Sequence, residues 1–144
     1  MIAVDTNILV YAHREDSQFH IKASACISSL SEGTASWAIP WPCVHEFLAI
    51  TTRPRNYNPP TPLPLAIRQI EVWMESPALS LLAESGRHWP ELCEIALAGR
   101  VSGALIHDAR VVAICRQHGV RELWTADRDF SRFSGLRIAN PLLD

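Results

Sequence analysis

Met1-Ile2-Ala3-Val4-Asp5-Thr6-Asn7 opens the chain with an apolar run that stops abruptly at an acid, a hydroxyl and an amide. A short apolar run with polar bounds reads as a strand buried on both faces, as in a parallel sheet. Ile8, Leu9, Val10 and Ala12 then suit a helix whose first turn carries Asn7. Asp5 is therefore expected at the carboxyl end of a central strand, the edge where open α/β sheets bind ligands. An aspartate in that position can also cap the following helix. Which role applies depends on whether acids later in the chain occupy equivalent positions.

After a short helix from Ile8 to His13, Glu15-Asp16-Ser17-Gln18 makes a polar break. Phe19 to Leu30 reads as a second helix, with Phe19, Ala23, Cys26, Ile27 and Leu30 three and four residues apart. Gly33 is expected to end it in a left-handed cap. Ala35 to Ile39 reads as a second strand, closed by Pro40. Pro42 fits the first turn of a helix, where its missing N–H costs nothing, and that helix is expected to reach Thr52. Arg53 to Pro64 is rich in Pro and Asn and has no apolar periodicity, so it reads as a long loop of a kind often functional or mobile. Leu65 to Glu75 is expected as a helix and Ala78 to Leu82 as a third strand. Trp89 to Ala98 and Ala104 to His118 follow as helices stopped by Gly99 and Gly119. Glu122 to Thr125 is a fourth strand, Asp127 to Arg132 a helical turn, and Leu136 to Ala139 a fifth strand. Strands alternating with helices imply the α/β class, a mainly parallel five-stranded sheet and right-handed crossovers. With no repeat or linker, residues 1–144 are expected to form a single domain.

Composition narrows the function classes only slightly. At 48% hydrophobic and 19% charged, the chain is ordinary globular protein and not a disordered tail. Asp5 interrupts the N-terminus too early for a signal peptide. No apolar run approaches the ~20 residues that span a bilayer, so a cytoplasmic protein without membrane contacts is expected. Cys26, Cys43, Cys93 and Cys115 form no C-x-x-C pair and read as buried free thiols rather than a disulfide framework or zinc site. The histidines are scattered, although His45 and His107 each stand beside an acid. A net charge of -2 lacks the basic footprint usual for a nucleic-acid binder. Yet Lys22 is the sole lysine among the basic residues, and arginine is the better bidentate phosphate donor.

The distribution of acids is more informative. Asp5 ends the first strand, Glu46 lies near the start of the helix after the second, and Asp108 lies in the first turns of an apolar helix. Asp127 and Asp129 follow the fourth strand. In a parallel α/β fold these positions share one edge, so acids from separate segments converge on one crevice. Two carboxylates ~4 Å apart repel by about 4 kcal/mol at an effective dielectric near 20. Such a group either raises its pKa values together or recruits a cation. Without soft ligands beside the acids, Mg²⁺ fits better than zinc, with Mn²⁺ as the alternative, and carboxylate-held ions of this type suit in-line attack on a phosphodiester. Singly, Glu46 or Asp108 would be satisfied near a positive helix end; together the acids favour the metal.

These segments resemble the PIN-domain nucleases and, within them, the VapC toxins of bacterial toxin–antitoxin systems. The matching pieces are AVDTN at the start, Glu46 in PCVHEFL, Asp108 in LIHDARVVA, and TADRDF. In this order they cover the chain nearly end to end. The resemblance implies a five-stranded parallel sheet with flanking helices, Mg²⁺-dependent endoribonuclease activity on RNA, a homodimer and a VapB-type antitoxin as partner. It implies metal-ligating or catalytic roles for Asp5, Glu46, Asp108 and Asp127, an accessory role for Asp129, and supporting roles for Asn7 and Thr125. The Arg53–Pro64 segment departs from many relatives, so substrate contacts do not carry over.

Several finer expectations follow from the residues. Arg53, Arg55 and Arg128 lie beside motif segments and are candidates for gripping RNA phosphates. Thr125 is expected to bond the Asp127 carboxylate, and Asp129 to cap the turn or to bind a second, weaker ion through water, so that only Asp127 points straight into the crevice. Leu65, Ile67, Ile70, Val72, Trp73 and Met74 cover more than one face of their helix. That helix, or Phe19–Leu30, is expected to help form the antitoxin groove with Trp73 as a contact, the alternative being a fully buried helix with Trp73 in ordinary core packing. A phosphatase of the haloacid dehalogenase type would need an Asp where Asn7 stands, and a better placed lysine than Lys22. A catalytically inactive PIN-like binding module would have no need of every acid.

Overall fold

Ile2, Ala3 and Val4 form the central strand of a five-stranded parallel sheet, seen in a computed structural model that describes residues 1–143. The strands are β1 (Ile2–Val4), β2 (Trp37–Pro40), β3 (Leu79–Leu82), β4 (Glu122–Trp124) and β5 (Arg137–Ala139), in spatial order β3-β2-β1-β4-β5. Helices α1 (Thr6–His13), α2 (His20–Ser31), α3 (Trp41–Thr51), α4 (Leu63–Met74), α5 (His88–Ala98) and α6 (Leu105–Gln117) connect them, with a 3₁₀ turn at Arg128–Arg132. The chain winds outward from β1 through β2 to β3, then returns to β1's other side for β4 and β5. The strand order reverses at β1, and the crevice between the ends of β1 and β4 is the topological switch point where such sheets bind ligands.

Burial accounts for the strand composition. Ala3, Val4, Trp37, Ala38 and Leu123 are wholly inaccessible, as expected where helices cover both faces. Trp37 satisfies its indole N–H on Ser76 Oγ at 3.1 Å. On α6, Ala109 and Val111 through Cys115 are all buried, so this helix is apolar over most of its circumference beyond its first turn. Phe47 of α3 meets Trp73 of α4 edge-to-face, with ring centroids 5.3 Å apart.

Every element lies within two residues of its expected position, but some local expectations need correction. Gly33 is not left-handed: α2 ends through Glu32 at φ -92°, and Gly33 is required because a Cβ there would sit 2.8 Å from the Ser29 carbonyl oxygen. Gly119, at φ +69°, does take the left-handed cap after α6. The long loop is shorter than expected, because Leu63 and Pro64 already belong to α4, where Pro fits the first turn. All four cysteines are free, but only Cys43 and Cys115 are buried. Trp73 is a core residue at 6% exposure, while Leu63, Leu65, Val72 and Met74 of the same helix face outward; Trp73 is thus removed from any partner-facing surface. Among the described residues no helix is long and apolar enough to cross a membrane.

Candidate active site

The site is built first by strand register. Pairing Val4 with Trp124 sets Asp5 beside Thr125, one residue beyond each strand. Asp5 N–H donates to the Trp124 carbonyl at 2.9 Å, and Thr125 N–H to that of Ala139 at 2.9 Å. The Thr125 hydroxyl donates to Asp5 Oδ2 at 2.8 Å. Asn7 Nδ2 reaches the same carboxylate oxygen at 3.3 Å and Thr125 Oγ1 at 3.2 Å, while Asn7 Oδ1 accepts from Ala126 N–H at 3.0 Å. The Cys43 thiol faces Asp5 Oδ1 at 3.5 Å. Asp5 occupies the N-cap position of α1 without making a side-chain capping bond, so its carboxylate is committed to the crevice. Burial pushes its pKa up to about 6, against the opposing bond from Thr125, with the charge of Glu46 adding to the rise.

Thr125 therefore serves Asp5, not Asp127 as expected; toward Asp127 it offers only an acceptor, taking that residue's N–H at 3.0 Å. Asp127 lines the cavity as expected, but it also takes the capping role expected of Asp129. Asp127 is the cap, its Oδ1 accepting from Asp129 N–H at 2.9 Å. This bond folds the turn back, so Asp129 does not diverge from the crevice. One carboxylate oxygen each from Asp108, Asp127 and Asp129 lie within 4.8 Å of one another. Asp108 sits in the first turn of α6, and its pKa is pushed up to about 6, first by burial and then by Asp127, Asp5, Asp129 and Glu46. Glu46 is exposed on α3 and accepts from the Thr6 hydroxyl at 3.3 Å.

The donor set is all oxygen, multiply anionic and partly desolvated. That chemistry fits a hard divalent cation, which would offset both the burial of the Asp108 carboxylate and the repulsion its neighbours add. Asp5, Glu46, Asp108 and Asp127 all line one cavity of about 500 Å³. Asp129 joins through its contact with Asp108 and Asp127, and Asn7 lines the cavity too.

Residues that periodicity did not single out also line it: Tyr11, Tyr57, His45, His107 and Arg110. Neighbours on a helix diverge, yet His45 beside Glu46 and His107 beside Asp108 both reach the wall. Arg110 is paired with Glu84. Arg53, Arg55 and Arg128 are instead exposed and outside the cavity lining. Tyr57 could not be found by pattern, since it lies in the Pro-rich segment. Lys22 reaches the Leu142 carbonyl at 3.3 Å and is absent from the cavity wall, where a dehalogenase-type phosphatase would need its lysine.

Comparison with known proteins adds an independent line. The family model for the PIN domain matches residues 2–136. Ribonuclease VapC48 of Mycobacterium tuberculosis (strain ATCC 25618 / H37Rv) is 31% identical over 137 residues, covering 95% of this chain and 94% of the relative. Ribonuclease VapC43 of the same strain is 30% identical over 142 residues, covering 99% and 96%. Among solved structures, VapBC2 from Rickettsia felis, bound to a DNA fragment from its promoter, superposes with a TM-score of 0.69 at 16% identity, covering 97% of this chain and 98% of that one. Mycobacterium tuberculosis VapC20, described as a sarcin-ricin loop cleaving toxin, gives 0.68 at 15% identity, covering 95% and 99%.

Proposed function

The chain belongs to the PIN-domain family and, within it, to the VapC ribonucleases, and on that premise we propose that it is the toxin of a VapBC-type pair, an endoribonuclease that hydrolyses RNA phosphodiester bonds with Mg²⁺ or Mn²⁺. The observation that carries this reading is the meeting of Asp5, Glu46, Asp108 and Asp127, from four separate segments, in one cavity. The partners proposed with it are a VapB-type antitoxin and a second copy of the chain, in the cytoplasm.

Asp5, Asp108 and Asp127 would hold the cation, with Asp129 adding a carboxylate from the turn. Such an ion, when bound, supplies activation of water and neutralisation of charge on the phosphoryl oxygens. The chain's own groups do the rest. Thr125 and Asn7 fix the Asp5 carboxylate by the bonds given above, which pre-orients a ligand before any cation arrives. Glu46 is engaged only weakly by Thr6 and receives the proton of the attacking water on its other carboxylate oxygen.

The test is cleavage of a panel of single-stranded and hairpin RNAs with Mg²⁺, with Mn²⁺ and with chelator. Cleavage that requires the divalent ion and disappears in Asp5→Asn supports the reading. A folded wild type that cleaves nothing, or cleaves equally in chelator, overturns it.

A further inference from the structure

The same cavity carries residues that metal chemistry leaves unused. Beside α6 and the turn after β4, two of its walls are one face each of α1 and α3. On α1, Asn7 is followed one turn on by Tyr11, with Val10 beside it; on α3, Glu46 is followed one turn on by Ile50, with Ala49 beside it. Residues four apart lie one above the other, ~6 Å along the helix axis. The cleft therefore grades from acids to an uncharged wall of Val10, Tyr11, Ala49, Ile50 and Tyr57 within one helical turn. That is about the reach of a nucleotide from its phosphate through the ribose to its base.

Tyr57 is held there deliberately tightly for a residue of a Pro-rich segment. The Arg14 guanidinium lies over its ring, 4.4 Å from the centroid. Arg14 is itself fixed by both Asp16 oxygens at 2.9 and 2.7 Å and donates to Thr61 Oγ1 at 3.2 Å. Thr61 is tied by its N–H to the Thr51 carbonyl at 2.8 Å, and its hydroxyl meets His13 Nε2 at 3.1 Å. Arg14 is thus spent on Asp16 and on one face of the ring, leaving it no role as a phosphate grip. A phosphate at this end of the cleft would find Arg14 already neutralised by Asp16. A flat, neutral heterocycle would find an immobilised aromatic ring, the usual platform for unpaired RNA bases.

We propose that this end of the cleft is a nucleobase subsite, in which Tyr57 stacks an unpaired base of the RNA strand whose phosphate lies at the acids. The proposal rests on the ribonuclease reading and adds to it the recognition of a base. Tyr57 touches the base and not the reacting atoms, so it acts on affinity and choice of sequence.

The experiment measures binding of fluorescent dodecamers of adenylate, uridylate and cytidylate, and of an abasic ribose-phosphate dodecamer, with Ca²⁺ in place of Mg²⁺. The wild type is expected to bind its preferred dodecamer at least about tenfold tighter than the abasic one. Tyr57→Ala should lose most of that ratio while binding the abasic strand as the wild type does; Tyr57→Phe should keep it. Ala49→Trp, which fills the subsite from α3 and leaves the loop's sequence intact, should lose the ratio as Tyr57→Ala does. Equal affinity of the wild type for base-bearing and abasic strands overturns the subsite and leaves the apolar wall to a protein side chain. An unchanged ratio in both variants, or equal loss on both kinds of strand, also overturns it. Cleavage of the base-bearing dodecamers in Mg²⁺ separates the two readings: cleavage with no base dependence of binding removes the subsite alone, whereas no cleavage by the folded wild type removes the ribonuclease reading beneath it.

Discussion

Thr125 donates its hydroxyl to Asp5 Oδ2 at 2.8 Å, and that bond joins the ends of β1 and β4 at the point where the strand order reverses. The donor is 2% exposed and the acceptor 6%. Replacing a hydroxyl by a methyl at such a bond leaves a buried carboxylate oxygen short of a partner, which costs about 1–3 kcal/mol. Thr125→Val should therefore lose stability of this order at neutral pH, together with activity. Urea denaturation at pH 7 and at pH 5 checks it: the loss should shrink at pH 5, where Asp5 is largely protonated.

The metal-free protein should become less stable as pH rises from about 4 to 6. Asp5 titrates at about 6 in the fold against 3.8 unfolded, so within that window the native state binds the proton more tightly. Raising the pH removes that advantage, and the cost is fully present above 6; at 1.36 kcal/mol per pKa unit it is about 3 kcal/mol for Asp5. Asp108, also raised to about 6, acts in the same direction. Asp5→Asn should flatten this dependence and melt at or above the wild type at pH 7 in chelator, while cleaving no RNA. Thermal melts across pH 4 to 8 decide it; a variant inactive only because it unfolds would return Asp5 to a structural role.

Asp127 and Asp129 should separate by function. Asp127 has two duties, cap of the turn and member of the carboxylate cluster. Asp127→Ala is expected to remove nearly all activity and Mg²⁺ binding, with some loss of order in the turn. Asp129→Ala keeps the cap and should leave measurable activity with an Mg²⁺ requirement raised about 10–100-fold, as for loss of a supporting group. Titrating cleavage against Mg²⁺ ranks the two, and the reverse order would put the stronger ligand at Asp129.

On α4, Trp73 packs on Phe47 in the core while Val72 is 43% exposed. Trp73→Ala should cost about 3–5 kcal/mol. Val72→Glu should leave the melting temperature unchanged and, if the outer face of α4 meets the antitoxin, weaken that complex. Melting curves and calorimetric titration with the antitoxin distinguish the two positions.

Element boundaries were legible where punctuation is strong, as with Asp5 after β1 and Pro40 closing β2, and where a helix keeps three-and-four spacing, as α2 does. The convergence of Asp5, Glu46, Asp108 and Asp127 was legible for the same reason: strand ends in a parallel sheet share an edge. What stayed hidden depends on side-chain reach and backbone folding that spacing does not encode. The partner of Thr125 is chosen by β1–β4 register, and the Asp127–Asp129 arrangement by a 3₁₀ turn rather than by helical divergence. Arg110 enters the wall in company with Asp108 although the two are only two positions apart on α6. Tyr57 is placed by Arg14 and Thr61, contacts that a loop without periodicity gives no sign of.

The central claim is that these acids hold a divalent cation on which RNA cleavage depends. Mn²⁺ titration followed by electron paramagnetic resonance, run beside RNA cleavage on the same samples, tests it most directly. Wild type should bind the ion and begin cleaving over the same concentration range, and Asp108→Asn should lose both while remaining folded. A folded wild type that binds no ion, or cleavage that proceeds undiminished in chelator, would contradict the account.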